Sequence, residues 1–304
     1  MASKTIKKAN LKYLMTASDD FVAQIEPGED VNVECDIAYN GSVVSSFDVK
    51  LTNKDFKYPY FNPMTGPIEV KGAKAGQMLR VKIKEIELDD FGLTGLMPHS
   101  GLFQEWIFER QSEFCNFKPV RVSDGFIHWD EKRKIPTAPM VGVIGVAPAF
   151  GSILSIDNGD HGGNIDVQEL GPGATVYLPV NVDGGYLYLG DCHARQGDGE
   201  VSGVGAVDIG ARVTISVEVE ERPKRMDWPR FEDETHIGTI GLGRTIEEAM
   251  RISCRELIYW MADEYGFSEP DAYTLLSSIL EGRATQVMNP KTTYVCKVRK
   301  DFIK

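Results

Sequence analysis

The chain has 304 residues, enough for two ordinary domains or one large β-rich unit around a sizeable core. Its 33 Lys and Arg stand against 45 Asp and Glu, a formal net charge of −12. That balance repels phosphate backbones and argues against non-specific nucleic-acid binding; it is compatible with a cation site or simply with solubility. The five cysteines, Cys35, Cys115, Cys192, Cys254 and Cys296, are far apart and form no C-x-x-C, so neither a zinc ribbon nor a thioredoxin-type pair is written here. Free thiols suit a reducing compartment. The opening MASKTIKKAN lacks the apolar core of a secretory signal, and no apolar run approaches the ~20 residues of a membrane helix. A cytoplasmic protein without membrane or nucleic-acid partners is the expectation.

In chain order, Val31 to Ile37 alternates as VNVECDI and predicts a half-buried strand. Leu79 to Leu88 alternates as LRVKIKEIEL with a phase change at Lys84-Glu85, which a β-bulge explains. Met140 to Ala147 is apolar on both faces and predicts a buried central strand, its Gly142 and Gly145 marking close approach of another backbone. Ala174 to Val182 and Tyr186 to Leu189 predict strands joined as a hairpin by Asp183-Gly184-Gly185. Ala211 to Val219 is another alternating strand. The charged, twice proline-interrupted stretch ERPKRMDWPRFEDE from Glu221 reads as a surface crossing. Thr245 and Glu248 then form a capping box for a helix from Ile246, closed by Gly266. Ser268 and Asp271 cap a second helix, ended by Gly282, and a strand pair near Thr285–Met288 and Thr293–Val298 completes the chain. Cys254 lies on the apolar stripe of the first of these helices and reads as a packing residue. The implied fold is mainly β, with sandwich- or barrel-like sheets in residues 1–222 and a smaller C-terminal α+β portion, residues 223–304, packed on them.

Several familiar sites are missing: no G-x-x-x-x-G-K-[ST] loop, no G-x-G-x-x-G, no G-x-S-x-G and no H-E-x-x-H. Polar groups concentrate instead in two glycine-rich stretches. Asp157 to Asp166 reads DNGDHGGNID and Gly190 to Glu200 reads GDCHARQGDGE. Glycines let short side chains converge on one centre. Imidazole with carboxylates suits zinc or another divalent ion; carboxylates and carbonyls alone suit calcium. Such an ion could polarise an amide carbonyl while a nearby carboxylate moves protons. The same composition also describes a set of turns, where Asp, Asn and Gly are common. Cys192 and His193 are neighbours on an extended strand and point to opposite faces, against a Cys-His catalytic pair. His99 and His128, set among aromatics, read as packing or surface positions.

These stretches resemble the acetamidase/formamidase family, in order from Thr65 to Ile303. The similarity runs through TGPIEVKGAKAGQ, PMVGVIGVAPA, HGGNID, LPVNVDGGYLYLGDCHARQGDGEVSG and THIGTIG, then ATQVMNP and the closing KVRKDFI. The resemblance implies hydrolysis of a short-chain amide to carboxylate and ammonia, a mostly β fold and a homo-oligomer, a dimer or larger. Carried onto matching positions, it implies His161, Asp166, Asp191 and His193 as residues holding or orienting a divalent metal, zinc before calcium. It implies Glu200 as general base on water, Asn164 or Gln196 as oxyanion donors, and Asp198 as a further catalytic candidate. The chain departs from the family's pattern at Ala75-Gly76-Gln77, at Cys192 and at Glu281. An acid frequent after the GEV element is replaced by Val207, unless Asp208 serves. These departures leave three readings: the small-amide hydrolase, a hydrolase of a larger or cyclic amide on the same scaffold, or a non-catalytic β protein that binds a metal or ligand.

Overall fold

A computed structural model describes residues 4–39, 57, 59–97, 100–110, 117–204 and 206–304; His99 and Cys115 lie outside them. The fold is mainly β, as the alternating segments require. One continuous network of paired strands runs through it, beside a separate pair of Leu14–Thr16 with Ser152–Leu154. Pairing is antiparallel except where Lys4–Ile6 lies along Asp30–Cys35 and Ala23–Ile25 along Met64–Val70.

The longest strand, Gln77–Gly95, pairs with Asp208–Glu221. Their register shifts between Thr214, opposite Glu85, and Ile215, opposite Ile83. Lys84 is the extra residue, and the slip in alternation is a bulge. Asp30–Cys35 pairs along the same strand Asp208–Glu221, and its side chains alternate between core and edge. Val31, Val33, Leu79, Val81, Ile83, Val213, Ile215 and Val217 thereby enter one core together with Val141, Ile144, Leu187 and Leu189. Each such side chain contributes on the order of 1.5–3 kcal/mol on burial.

Met140–Val146 is buried along its whole length, between Gly162–Asn164 and Leu187–His193. Both its glycines are close approaches. A Cβ on Gly145 would stand 2.5 Å from Gly163 N, and one on Gly142 would stand 2.6 Å from Asp191 O. Gly184 and Gly185 do form a turn, with φ of 92° and 76°. The flanking strands nevertheless take different partners rather than completing a local hairpin. Thr175–Pro179 pairs with Gln77–Gly95 and Arg230–Glu232, whereas Leu187–His193 pairs with Met140–Val146 and Met64–Val70. Non-local pairing overrode the turn signal.

The stretch after Pro223 is not a surface crossing. Arg230–Glu232 is a strand, and Met226, Arg230 and Phe231 are buried. Arg230 enters the interior because Glu256 meets its guanidinium at 3.2 Å and Trp260 stacks beneath it, with 5.4 Å to the ring centroid. Thr245 and Ser268 cap the helices Ile246–Glu264 and Glu269–Ile279 as expected, accepting from Glu248 N and Asp271 N. The second helix stops at Ile279, and Gly282 belongs to the next strand, Glu281–Gln286, which pairs with Thr292–Arg299. Gly241 lets the first helix settle on the sheet: a Cβ there would stand 2.0 Å from Ala249 O. A short helix, Gln104–Glu109, has no counterpart in the sequence reading. His128 is half-buried and bonded to Ser123 Oγ.

Candidate metal and catalytic site

The strand Leu187–His193 carries the centre of the site. Asp191 and His193 share one face at spacing two, and Cys192 faces the other way. Cys192 packs against Cys35; a hydrogen bond with that thiol and burial hold its own thiol well above the usual range. A sealed, protonated sulfur is no nucleophile. Asp166 follows the strand Gly162–Asn164, and Asp208 opens the strand Asp208–Glu221 directly opposite His193. Ligand atoms of Asp166, Asp191 and His193 all lie within 4.8 Å of one another, and all three residues are buried. Asp166, Asp191 and Glu200 adopt left-handed φ of 46°, 51° and 47°, costly for non-glycine residues and typical of functional sites.

The tautomer of His193 is set by its partners. Gln196 donates both amide hydrogens to carbonyls, of Asp166 at 3.1 Å and Thr285 at 2.9 Å. Its Oε1 must therefore accept, and His193 Nδ1–H donates to it at 2.8 Å. That leaves Nε2 to face the acids, with Asp208 Oδ1 at 3.0 Å and Asp191 Oδ1 at 3.6 Å. Burial opposes a charged imidazole here, yet the Asp191 and Asp208 carboxylates outweigh it and hold His193 well above its usual range. Burial pushes Asp166 up to about 7 and Asp208 up to about 6. Burial and the Asp166 carboxylate push Glu200 well above the ordinary carboxylate range. Tyr39, buried and at φ 62°, is kept neutral by its own burial and the nearby acids.

Three asparagines surround the acids. Asn62 donates to Asp191 Oδ2 at 2.7 Å, and Asn289 donates to Asp166 Oδ2 at 2.8 Å. Between them, hydrogen-bonding partners turn the Asn164 amide nitrogen toward Asp166 Oδ2 at 3.2 Å and Asp191 Oδ2 at 3.1 Å. Of the remaining sequence candidates, Asp198 is largely exposed and paired with Arg283 at 3.3 Å. His161 is buried outside the three-residue cluster, its ring above Gly159 and Gly163, with Asp160 3.7 Å away. Asn62 and Asn289 went unread as site residues: one precedes the resemblance, and the other sits in its ATQVMNP segment without any local mark of function.

The residues fit a divalent cation. Three buried acids, Asp166, Asp191 and Asp208, meet one imidazole, and the half-buried Glu200 lies near enough to feel their charge. Asp208 Oδ2 and Glu200 Oε2 are buried without a hydrogen-bond partner among the described residues. Buried carboxylates without donors are costly unless protonated or neutralised by a cation. Two carboxylates and a neutral imidazole are a donor set for zinc-type ions.

The scaffold and site thus define a mainly antiparallel β protein with a buried Asp-Asp-His centre. The chain belongs to the acetamidase/formamidase family, whose sequence model matches residues 18–156 and 151–299. It is similar to the acetamidase of Yersinia enterocolitica in crystal structure, at 30% identity and a TM-score of 0.90, covering 100% of this chain and 93% of that one. It is 26% identical over 247 residues to the formamidase of Methylophilus methylotrophus, covering 64% of this chain and 60% of that protein. Against the acetamidase of Mycolicibacterium smegmatis it is 23% identical over 255 residues, covering 65% and 63%. The chain spans about three-fifths of the length of these curated relatives. No described helix is long and apolar enough to cross a membrane.

Proposed function

We propose that the protein hydrolyses the C–N bond of a small linear amide, of the formamide or acetamide type, at a divalent metal centre built on His193, Asp191 and Asp166. The observation that carries the reading is the unbalanced acid cluster around His193, within a chain of the acetamidase/formamidase family. Zinc is the ion that best suits two carboxylates and an imidazole; calcium would make no use of the nitrogen. When bound, the ion supplies Lewis acidity toward the amide carbonyl and the attacking water.

The chain's own groups do the rest. Gln196 fixes the proton on His193 Nδ1, so Nε2 is the atom that would hold the ion. Asp208 stands beside Nε2, its Oδ1 3.0 Å away. Glu200 is the base, as the resemblance implies: its Oε2 is buried with no hydrogen-bond partner among the described residues and is free to take a proton from water and return it to the leaving nitrogen. Burial excludes bulk water and strengthens each of these interactions. His161, placed by the resemblance among the metal-orienting residues, belongs to the glycine turn that presents Asn164 and Asp166, its ring packed near Gly159 and Gly163. A homo-oligomer in the cytoplasm completes the proposal, on the strength of the family resemblance and the free thiols.

Metal analysis of the untagged protein, with ammonia release from formamide and acetamide before and after chelation, tests the reading. Bound zinc with chelator-sensitive release is the expected result. Bound metal without release from either amide would move the substrate elsewhere; no metal and no release would overturn the mechanism.

A further inference from the structure

We infer that Asn62 and Asn289 are positioning residues that clamp the Oδ2 atoms of the two acidic ligands and so set the metal affinity of the site. The inference rests on the metal reading above and adds two residues to it, neither of which holds the ion.

The two amides act symmetrically on the pair of acids. Asn62 Nδ2 lies 2.7 Å from Asp191 Oδ2, and Asn289 Nδ2 lies 2.8 Å from Asp166 Oδ2. Asn62 also donates to the Asn164 side-chain oxygen at 3.2 Å, which turns the Asn164 nitrogen toward the same two Oδ2 atoms, while Asn289 gives its second hydrogen to the Asn164 backbone carbonyl at 2.9 Å. One oxygen of each carboxylate is therefore surrounded by amide N–H groups. With Oδ2 of Asp191 held, its Oδ1 is the atom facing His193 Nε2. A free carboxylate rotates about its terminal torsion, which is broad and weakly defined. Two adjacent buried carboxylates also repel and turn apart. Donors on the Oδ2 atoms oppose both motions, which is how outer-shell partners orient metal ligands.

Each asparagine is itself held in place. The hairpin carrying Asn289 is pinned by Gln286, whose Oε1 accepts from Met288 N at 2.8 Å and Asn289 N at 2.9 Å. Gln286 Nε2 donates across the same loop to Lys291 O and Thr293 Oγ1. Lys291 in turn anchors it to Asp157 Oδ1 and Asn158 O, both at 2.7 Å. On the other side, a Cβ on Gly190 would stand 2.3 Å from Pro63 O. The glycine next to Asp191 thus gives the Asn62-Pro63 backbone room to reach that acid.

Cobalt(II) titration of the metal-free protein, read by visible absorption, tests this directly. Outer-shell losses of this kind weaken metal binding by about 10–100-fold. Asn289→Ala and Asn62→Ala should each weaken cobalt binding to that extent and change the band shape, which reports coordination geometry. Asn289→Ser, which keeps a short donor and the polarity of the loop, serves if the alanine variant fails to fold, and should fall between. Circular dichroism of each metal-free variant establishes that it is folded. His193→Ala should abolish the bands altogether. Asparagine variants with the wild-type affinity and spectrum would overturn the clamp while leaving the metal centre standing. Wild-type protein without cobalt bands would overturn the metal centre and the clamp with it.

Discussion

Two groups of charges are buried in this protein, and they are built on opposite terms. Arg230 and Glu256 form a balanced pair, each side chain 2% exposed, with Trp260 against the guanidinium. Around His193, three buried carboxyls and the half-buried Glu200 converge, and a single imidazole answers them. The first group is balanced in charge as it stands, although Arg230 Nε and Nη1 find no hydrogen-bond partner among the described residues. The second is complete only with protons or a cation. A balanced buried pair points to architecture, an unbalanced one to a ligand.

The sharpest way to break this comparison is to remove the proposed base. Glu200→Gln keeps shape and burial but loses proton transfer, so turnover should fall by about 10²–10⁴-fold with metal content unchanged. Steady-state ammonia release and metal analysis of the same sample would show it; unchanged turnover would remove Glu200 from the mechanism.

The balanced pair should fail in a different currency. Arg230→Met leaves Glu256 buried without a partner and should cost about 3–5 kcal/mol in urea unfolding, with the metal site intact. Replacing both, Arg230→Met with Glu256→Leu, should recover most of that loss. A double variant as unstable as the single one would show that the pair holds more than itself.

The smallest effect is a pH dependence peculiar to the acid cluster. Asp208 and Asp166, at about 6 and about 7, hold protons more tightly in the folded than in the unfolded chain. Between roughly pH 4, where an unfolded Asp titrates, and those values, the folded state binds more protons, so stability falls as pH rises. His193, raised by Asp191 and Asp208, acts in the same sense: its contribution is full below the unfolded imidazole value and fades as pH climbs through the folded one. The metal-free protein should therefore melt several degrees lower at pH 8 than at pH 5, and zinc should recover the loss at pH 8. A flat profile in chelator would mean that the acids are solvated and the cluster open.

Much of this molecule is legible in its sequence. The bulge at Lys84, the buried strand Met140–Val146, the caps at Thr245 and Ser268 and the separation of Cys192 from His193 all follow from periodicity, side-chain direction or local hydrogen bonding. These are short-range rules, and short-range rules are written in short windows. The Asp191-Cys192-His193 triplet belongs with them: the strand's two-residue repeat puts the acid and the imidazole on one face and the thiol on the other.

Other features were decided only by the tertiary structure. The glycine turn at 183–185 looks like a hairpin until strands from elsewhere in the chain take its flanks. The segment after Pro223 looks solvated until Glu256 supplies a partner for Arg230. Asp198 and Glu200 are two residues apart, yet one meets Arg283 at the surface and the other turns a sealed oxygen inward, because Gly199 at φ 82° and Glu200 at φ 47° redirect the chain between them. Asn62 is 129 residues from Asp191 and Asn289 is 123 residues from Asp166, and each pair meets only when distant parts of the chain come together. The sequence by itself determined the strands, the helices and the chemical inventory of the site, because each depends on neighbours a few residues away. Which acids face His193, and which amides hold them there, depends on long-range pairing and on loss of water, and those exist only in the folded protein.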